Sequence, residues 1–290
     1  MYSLAKKLCC AAALTIASFT AQAGEGTFGW IYTLDLQPKG TAEFEQRLQM
    51  NRGQAHGKYD LMQARTEIEY GVSENFQIAA YLNTSSVNAF RNMPDGTTGG
   101  WLVPSSAGSH YQRNRYDGVS LEGIWRLTNP VTDPLGVGFY LEVTTGPVKD
   151  ELEGRLLLQS NFLDDKLVVA ANLHFAIEKV KFDSVEIGRE SMADLLAGVS
   201  YRFAPNWSAG IEYRFHNDFD GYRYNTQTQR QHFIGPNIHY ATKDWWVTAA
   251  WRMQPRIGKC WAPGDGECSG GYVWDSHSRQ EVIVKFGMPL

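Results

Sequence analysis

Leu61-Met62-Gln63-Ala64-Arg65-Thr66-Glu67-Ile68-Glu69-Tyr70-Gly71-Val72 alternates between two unlike faces. Gln63, Arg65, Glu67 and Glu69 share one register; Met62, Ala64, Thr66, Ile68 and Tyr70 share the other. A period of two belongs to a β-strand, because successive side chains point to opposite sides of the pleat. Similar alternation recurs near 41–51, 76–84, 116–128, 136–145, 150–162, 166–178, 191–203, 207–216, 228–241, 245–254 and 277–288. With 61–72 this makes twelve predicted strands.

A soluble β-protein can alternate in the same way, and it would bury its rings in a core. The connections favour a different reading. Five are short and rich in turn formers: Gly71–Asn75, Asn129–Pro134, Leu163–Asp165, Ala204–Asn206 and Ala241–Asp244. They interleave with the longer links 52–60, 85–115, 179–190, 217–227 and 255–276, and a brief one at 146–149. Outer-membrane barrels place short turns in the periplasm and long loops outside, and an even strand count leaves both termini in the periplasm. Tyr70, Phe76, Trp125, Phe139, Phe162, Phe203, Trp207, Tyr240, Trp245 and Phe286 fall on the apolar face near the short turns. Such rings suit the headgroup level, being apolar at one end and polar at the other. The predicted fold is therefore all-β: an antiparallel up-and-down transmembrane barrel of about twelve strands.

The ends support export. Lys6 and Lys7, the apolar stretch Leu8–Phe19 and Ala21-Gln22-Ala23 read as a removable signal at 1–23. The expected division continues with a periplasmic segment at 24–40 and a barrel at 41–290. Val282, Val284, Phe286, Met288 and Leu290 share one register in the last strand. Without the signal, 25 basic residues face 31 acidic ones, a net charge of about −6 that argues against nucleic acid as partner. Expected partners are outer-membrane lipid, the barrel-assembly machinery and a small-molecule cargo. Cys260 and Cys268 then remain as an even pair in an exported chain, which predicts a disulfide. No cofactor and no metal site are read from the sequence.

The polar register holds Glu43, Glu45, Glu67, Glu69, Glu122, Glu142, Glu151, Glu153, Glu178, Asp194, Glu212 and Glu281. It also holds Arg47, Arg65, Arg126, Arg155, Arg202, Arg214, Arg252, Arg279 and Lys285. Twelve strands about 4.8 Å apart and tilted near 40° enclose a backbone radius of roughly 12 Å, which such side chains largely fill. These residues line the predicted lumen, either as a selective lining or as a plug of salt bridges. Arg47, Arg65, Glu67 and Glu69 are expected to pair with opposite charges across the first two strands. Gly235-Pro236 predicts a bulge or bend in the tenth strand.

Asp35-Leu36-Gln37-Pro38-Lys39-Gly40, followed by Glu43, Glu45 and Gln46, resembles a family of proteobacterial outer-membrane barrels of unknown function, porin-like or transporter-like in kind. Glu212-Tyr213-Arg214-Phe215-His216, Phe233-Ile234-Gly235-Pro236 and Trp245-Trp246 carry the same resemblance. It implies the fold and an outer-membrane location, and nothing about cargo. Three functions stay open at this point. The first is a narrow channel or selective transporter for a small solute. The second is a closed structural, adhesive or receptor barrel acting through its outer loops. The third is a membrane lipid hydrolase, which would need Ser and His side by side on the lipid face. His277-Ser278 would point to opposite faces of a strand, and His174 and His239 face inward, so an enzyme is not expected.

Overall fold

The computed structural model describes residues 25–91, 110–182, 184–261, 268–274 and 277–290. Residues 1–24, which include the segment expected to be a signal, and the middle of the 85–115 connection lie outside the described residues. Eleven consecutive strands are β1 (Ala42–Arg52), β2 (Lys58–Ser73), β3 (Phe76–Phe90), β4 (His110–Thr128), β5 (Gly136–Thr145), β6 (Lys149–Phe162), β7 (Leu167–Phe182), β8 (Val185–Ala204), β9 (Trp207–Asp220), β10 (Gln227–Ala241) and β11 (Trp246–Met253). Three two-residue strands follow, β12 (Lys259–Cys260), β13 (Cys268–Ser269) and β14 (Tyr272–Val273), and then β15 (Gln280–Pro289). Each long strand pairs antiparallel with the next; β11 pairs β15, and β15 pairs β1, which closes a ring of twelve. A closed ring leaves no sheet edge, the condition for β-structure to cross hydrocarbon.

The alternation dictates the faces. Leu121, 68% exposed, and Leu141 and Phe175 stand outward, while Glu122, Glu142 and Ala176 on the same strands are buried inside. The rings expected near the short turns point outward, Trp125, Phe139, Phe162, Phe203 and Trp207 among them. With an apolar exterior and a closed ring, the protein is an outer-membrane β-barrel.

Several expectations need correction. β7 and β8 run on to Phe182 and from Val185, so the expected link 179–190 is mostly ladder. β3 and β4 likewise extend to Phe90 and from His110. The ladder hydrogen bonds simply continue past the expected strand ends there. At Gly235-Pro236 the pairing with β11 skips from Ile234↔Met253 to Asn237↔Ala250 with no change of register, so the interruption is a gap in one ladder and not a bulge. The proline ring has no N–H to offer β11, and Gly235 packs against the Trp251 carbonyl. His277 and Ser278 precede β15, and both are buried.

The segment set in the periplasm at 24–40 is the largest correction. After a short 3-10 turn at Glu25–Thr27, the chain runs inside the barrel, where Phe28, Leu34 and Leu36 are buried. It leaves the lumen at the short-turn end, where Gly40 N–H donates to the Gly71 carbonyl, 2.7 Å.

Candidate functional site in the barrel lumen

Residues 26–38 form a strap that crosses the lumen from the β11 side to the β3 side. An extended segment without a strand partner must find an acceptor for every buried N–H. The wall supplies them as side chains. Glu212 on β9 accepts from Gly29 N–H (2.7 Å) and Trp30 N–H (2.9 Å). Asn172 on β7 accepts from Tyr32 N–H (2.8 Å) and donates to its carbonyl (2.9 Å), as a neighbouring strand would. Gln159 on β6 accepts from Leu34 N–H (2.6 Å), and Gln77 on β3 from Gln37 N–H (2.8 Å). Arg126 donates to the Leu34 carbonyl (3.0 Å), and Thr248 to that of Gly26.

Apolar contacts repeat the message. Phe28, Trp30 and Ile31 pack with Ala170, Leu196, Ala250 and Ile283, and Leu34 and Leu36 with Ile124, Tyr140 and Leu157. Inward apolar residues would be out of place in a water-filled lumen; here they lie under the strap. Gly198 makes room in the same way, since a side chain there would meet Ile31 and Phe28. Burying one such large side chain contributes about 1.5–3 kcal/mol.

Glu43, Glu45, Glu67, Glu69, Glu122, Glu142, Glu153, Glu212, Arg252 and Glu281 are buried within the ring, whereas Arg279 is exposed just ahead of β15, and the pairing differs from expectation. Across β1 and β2 the register sets like against like: Glu43↔Glu69, Glu45↔Glu67 and Arg47↔Arg65. Lys285 extends the basic row on the other side of Arg47, and Glu122, Glu142 and Glu153 form an acidic row on β4, β5 and β6. Neutralisation comes along strands, between neighbouring strands and across the lumen. Arg65 reaches Glu142 at 3.2 and 3.3 Å, three strands away. Lys285 meets Glu45 at 3.1 Å. Arg155 meets Glu153 at 2.5 Å, and Arg252 meets Glu281 at 2.5 Å. Arg47 instead donates to Gln49 (3.1 Å), Glu43 accepts from the Trp246 indole (2.9 Å), and Glu69 from Gln37 of the strap (3.4 Å). Arg214 is held by Asp194 at 2.6 Å.

The strap also takes part in the electrostatics. The Arg252 guanidinium lies 4.1 Å from the centre of a Trp30 ring, and that of Arg155 4.6 Å from Tyr32, distances at which a cation is attracted by the ring face. Between Trp30–Tyr32 and the side chains of Arg47, Arg65, Glu67 and Lys285, a cavity of about 10 Å³ remains, room for about one water. The strap and these side chains occupy the lumen at this height.

Sequence reading missed the strap and its anchors. Phe28-Gly29-Trp30-Ile31 and Leu34-Asp35-Leu36 do carry an apolar signal, but their partners are scattered over seven strands. Cys260 and Cys268 form the expected disulfide, with Cα atoms 6.0 Å apart; residues 262–267 lie outside the described residues.

Solved structures share this architecture. An outer-membrane channel from Pseudomonas putida F1 superposes with a TM-score of 0.57 at 10% identity, covering 87% of this chain and 96% of that one. The NanC porin gives 0.53 at 12% identity, covering 85% and 100%. The β domain of the Bordetella autotransporter BrkA gives 0.50 at 9% identity, covering 86% and 99%. At such identities the fold is what is shared. No curated protein matches the chain by sequence. Residues 20–290 match the family of unknown function DUF6662, and the chain belongs to that family.

Proposed function

We propose that the protein is a narrow, normally closed route across the outer membrane for a small solute, with the strap as its closing element. The observation that carries this reading is the constriction itself. A solute can pass only if Trp30–Tyr32 or the facing arginines move, because the space left between them is about 10 Å³. The strap is fixed to the wall through side-chain hydrogen bonds and not through a ladder, so it can shift while the barrel stays intact. Similarity of fold to a channel and to a porin supports the same reading. The proposed domain division follows: a signal at 1–23, a luminal strap, and a barrel.

A second reading rests on the apolar residues beneath the strap. Ala170, Leu196, Ala250 and Ile283 would face water if it left, which favours a permanently closed barrel that works through its outer loops. Lipid hydrolysis gains no support: His232, the outward histidine of β10, is bonded by the Tyr213 hydroxyl at 2.7 Å and not by a serine. Single-channel recording in planar bilayers separates the first two. The wild type should open rarely and to a small conductance, and a variant lacking residues 26–37 should conduct continuously. Two silent, correctly folded proteins would favour the closed barrel.

A further inference from the structure

In the long-loop half of the lumen, away from the strap, two imidazoles and a carboxylate converge. His216 and Asp218 lie two residues apart on β9 and therefore share its inward face. His277 comes from the segment between β11 and β15. Its Nε2 lies 3.4 Å from Asp218 Oδ2, and the Nε2 of His216 lies 2.7 Å from the same oxygen. The two rings meet edge to face with centres 4.4 Å apart. One ligand atom from each residue falls within 4.8 Å of the other two. We propose that His216, Asp218 and His277 form a binding site for a divalent transition-metal ion of the Zn²⁺ class.

Three features favour an ion over a plain hydrogen-bond cluster. Imidazole and carboxylate are the donor set that suits zinc and its neighbours. The outer support is also in place: Asp194 Oδ1 and Arg214 Nη2 each lie 2.7 Å from His216 Nδ1, and an Nδ1–H donated to the carboxylate leaves Nε2 facing Asp218. Such a carboxylate behind a histidine is a recurrent feature of metal sites, because it fixes the tautomer and ring angle. The third ligand is likewise held in place. His277 N–H donates to the Trp274 carbonyl at 3.2 Å, its own carbonyl accepts from Gln54 at 2.6 Å, and Phe233 stands edge-on to its ring.

The fit is close. Bonds of about 2.0–2.1 Å to a tetrahedral ion put ligand atoms about 3.3 Å apart. The His277 pair has that spacing already, and the His216 pair must open by roughly 0.6 Å. In the metal-free protein a proton lies between His216 Nε2 and Asp218; a bound ion takes its place and releases it. Gln229 Nε2, 2.6 Å from the same Asp218 oxygen, would turn away or keep its bond to the carboxylate edge. Three protein ligands leave a fourth coordination position for water or for an anionic group of a passing solute. An ion here would also pin the 254–279 segment to β9.

The test uses the full barrel in detergent, prepared without a histidine tag, stripped with EDTA and titrated with Zn²⁺ by calorimetry. One ion should bind per barrel. His277→Ala and Asp218→Asn should each weaken binding at least tenfold, and His110→Ala, on the exposed start of β4, should leave it unchanged. His277 lies outside the barrel ladders, so its loss spares folding, which heat-modifiable gel mobility checks. X-ray absorption of the zinc-loaded wild type should show two imidazoles and an oxygen ligand. Absence of saturable binding, or binding as tight in His277→Ala as in the wild type, would overturn the site.

Discussion

Replacing Glu212 by alanine should loosen the strap without opening the barrel wall. Glu212 accepts from two successive strap amides, Gly29 and Trp30, at 2.7 and 2.9 Å, and is itself buried. An unsatisfied buried donor costs about 1–3 kcal/mol, so two of them take about 2–6 kcal/mol from docking. At about 1.4 kcal/mol per tenfold, the undocked fraction rises by a factor of roughly 30 or more. Glu212→Gln keeps one acceptor and should give about half the effect in free energy. Thr33, fully buried in the strap, is a suitable reporter as Thr33→Cys, since the native cysteines are joined to each other. Maleimide should label Cys at 33 slowly in the otherwise native barrel, and at least tenfold faster with Glu212→Ala. Equal rates in the two backgrounds, with both barrels folded, would refute the anchoring role of Glu212.

Three further outcomes follow from the same geometry. Cysteines introduced at Gly221, in the β9–β10 loop, and at Asp164, in the β6–β7 turn, should label differently on intact cells; labelling at Asp164 but not at Gly221 would reverse the orientation. Alkylation and intact-mass measurement should find Cys260 and Cys268 oxidised, and reduction should cost about 2–3 kcal/mol of loop constraint while leaving conductance unchanged; two free thiols in fresh protein would contradict the bond. Arg65→Ala strips Glu142 of its cross-lumen partner, and breaking a buried pair costs about 3–5 kcal/mol. Denaturant unfolding should show the loss in Arg65→Ala, with partial recovery in Arg65→Ala/Glu142→Gln; equal stability of single and double variants would refute the pairing.

The barrel itself was legible because lipid outside and water inside impose a strict two-residue period, and that period survives in strands such as β2 and β5. The inward direction of Glu67, Glu142 or Arg252 follows from parity alone. Their partners do not. Glu45 faces Glu67 and Arg47 faces Arg65 once the turn fixes the register, so the counter-charges must come from β5 and β15, which no local pattern announces. The strap escaped for a related reason. Its hydrogen bonds end on Glu212, Asn172, Gln159 and Gln77, four polar residues indistinguishable in sequence from any others in the inward register. His216 and Asp218 could have been noticed as an i, i+2 pair, but His277 reaches them only through a long excursion of the chain.

The central claim is that the N-terminal segment sits inside its own barrel, and a cross-link tests it most directly. A β-carbon added at Gly29 would lie 2.8 Å from that of Ala250 on β11. Disulfides join β-carbons about 3.5–4.5 Å apart, so the strap must shift by about 1 Å, and the Ile283 side chain, whose Cγ2 would lie 2.6 Å from the new β-carbon, must turn aside. In isolated outer membranes, Gly29→Cys/Ala250→Cys should oxidise to a single bond between the two introduced cysteines, identified by peptide mass after digestion. A double-cysteine protein that stays reduced under mild oxidant, and whose Cys at 29 reacts with maleimide as fast as an unfolded chain, would place the segment outside the barrel and contradict the account.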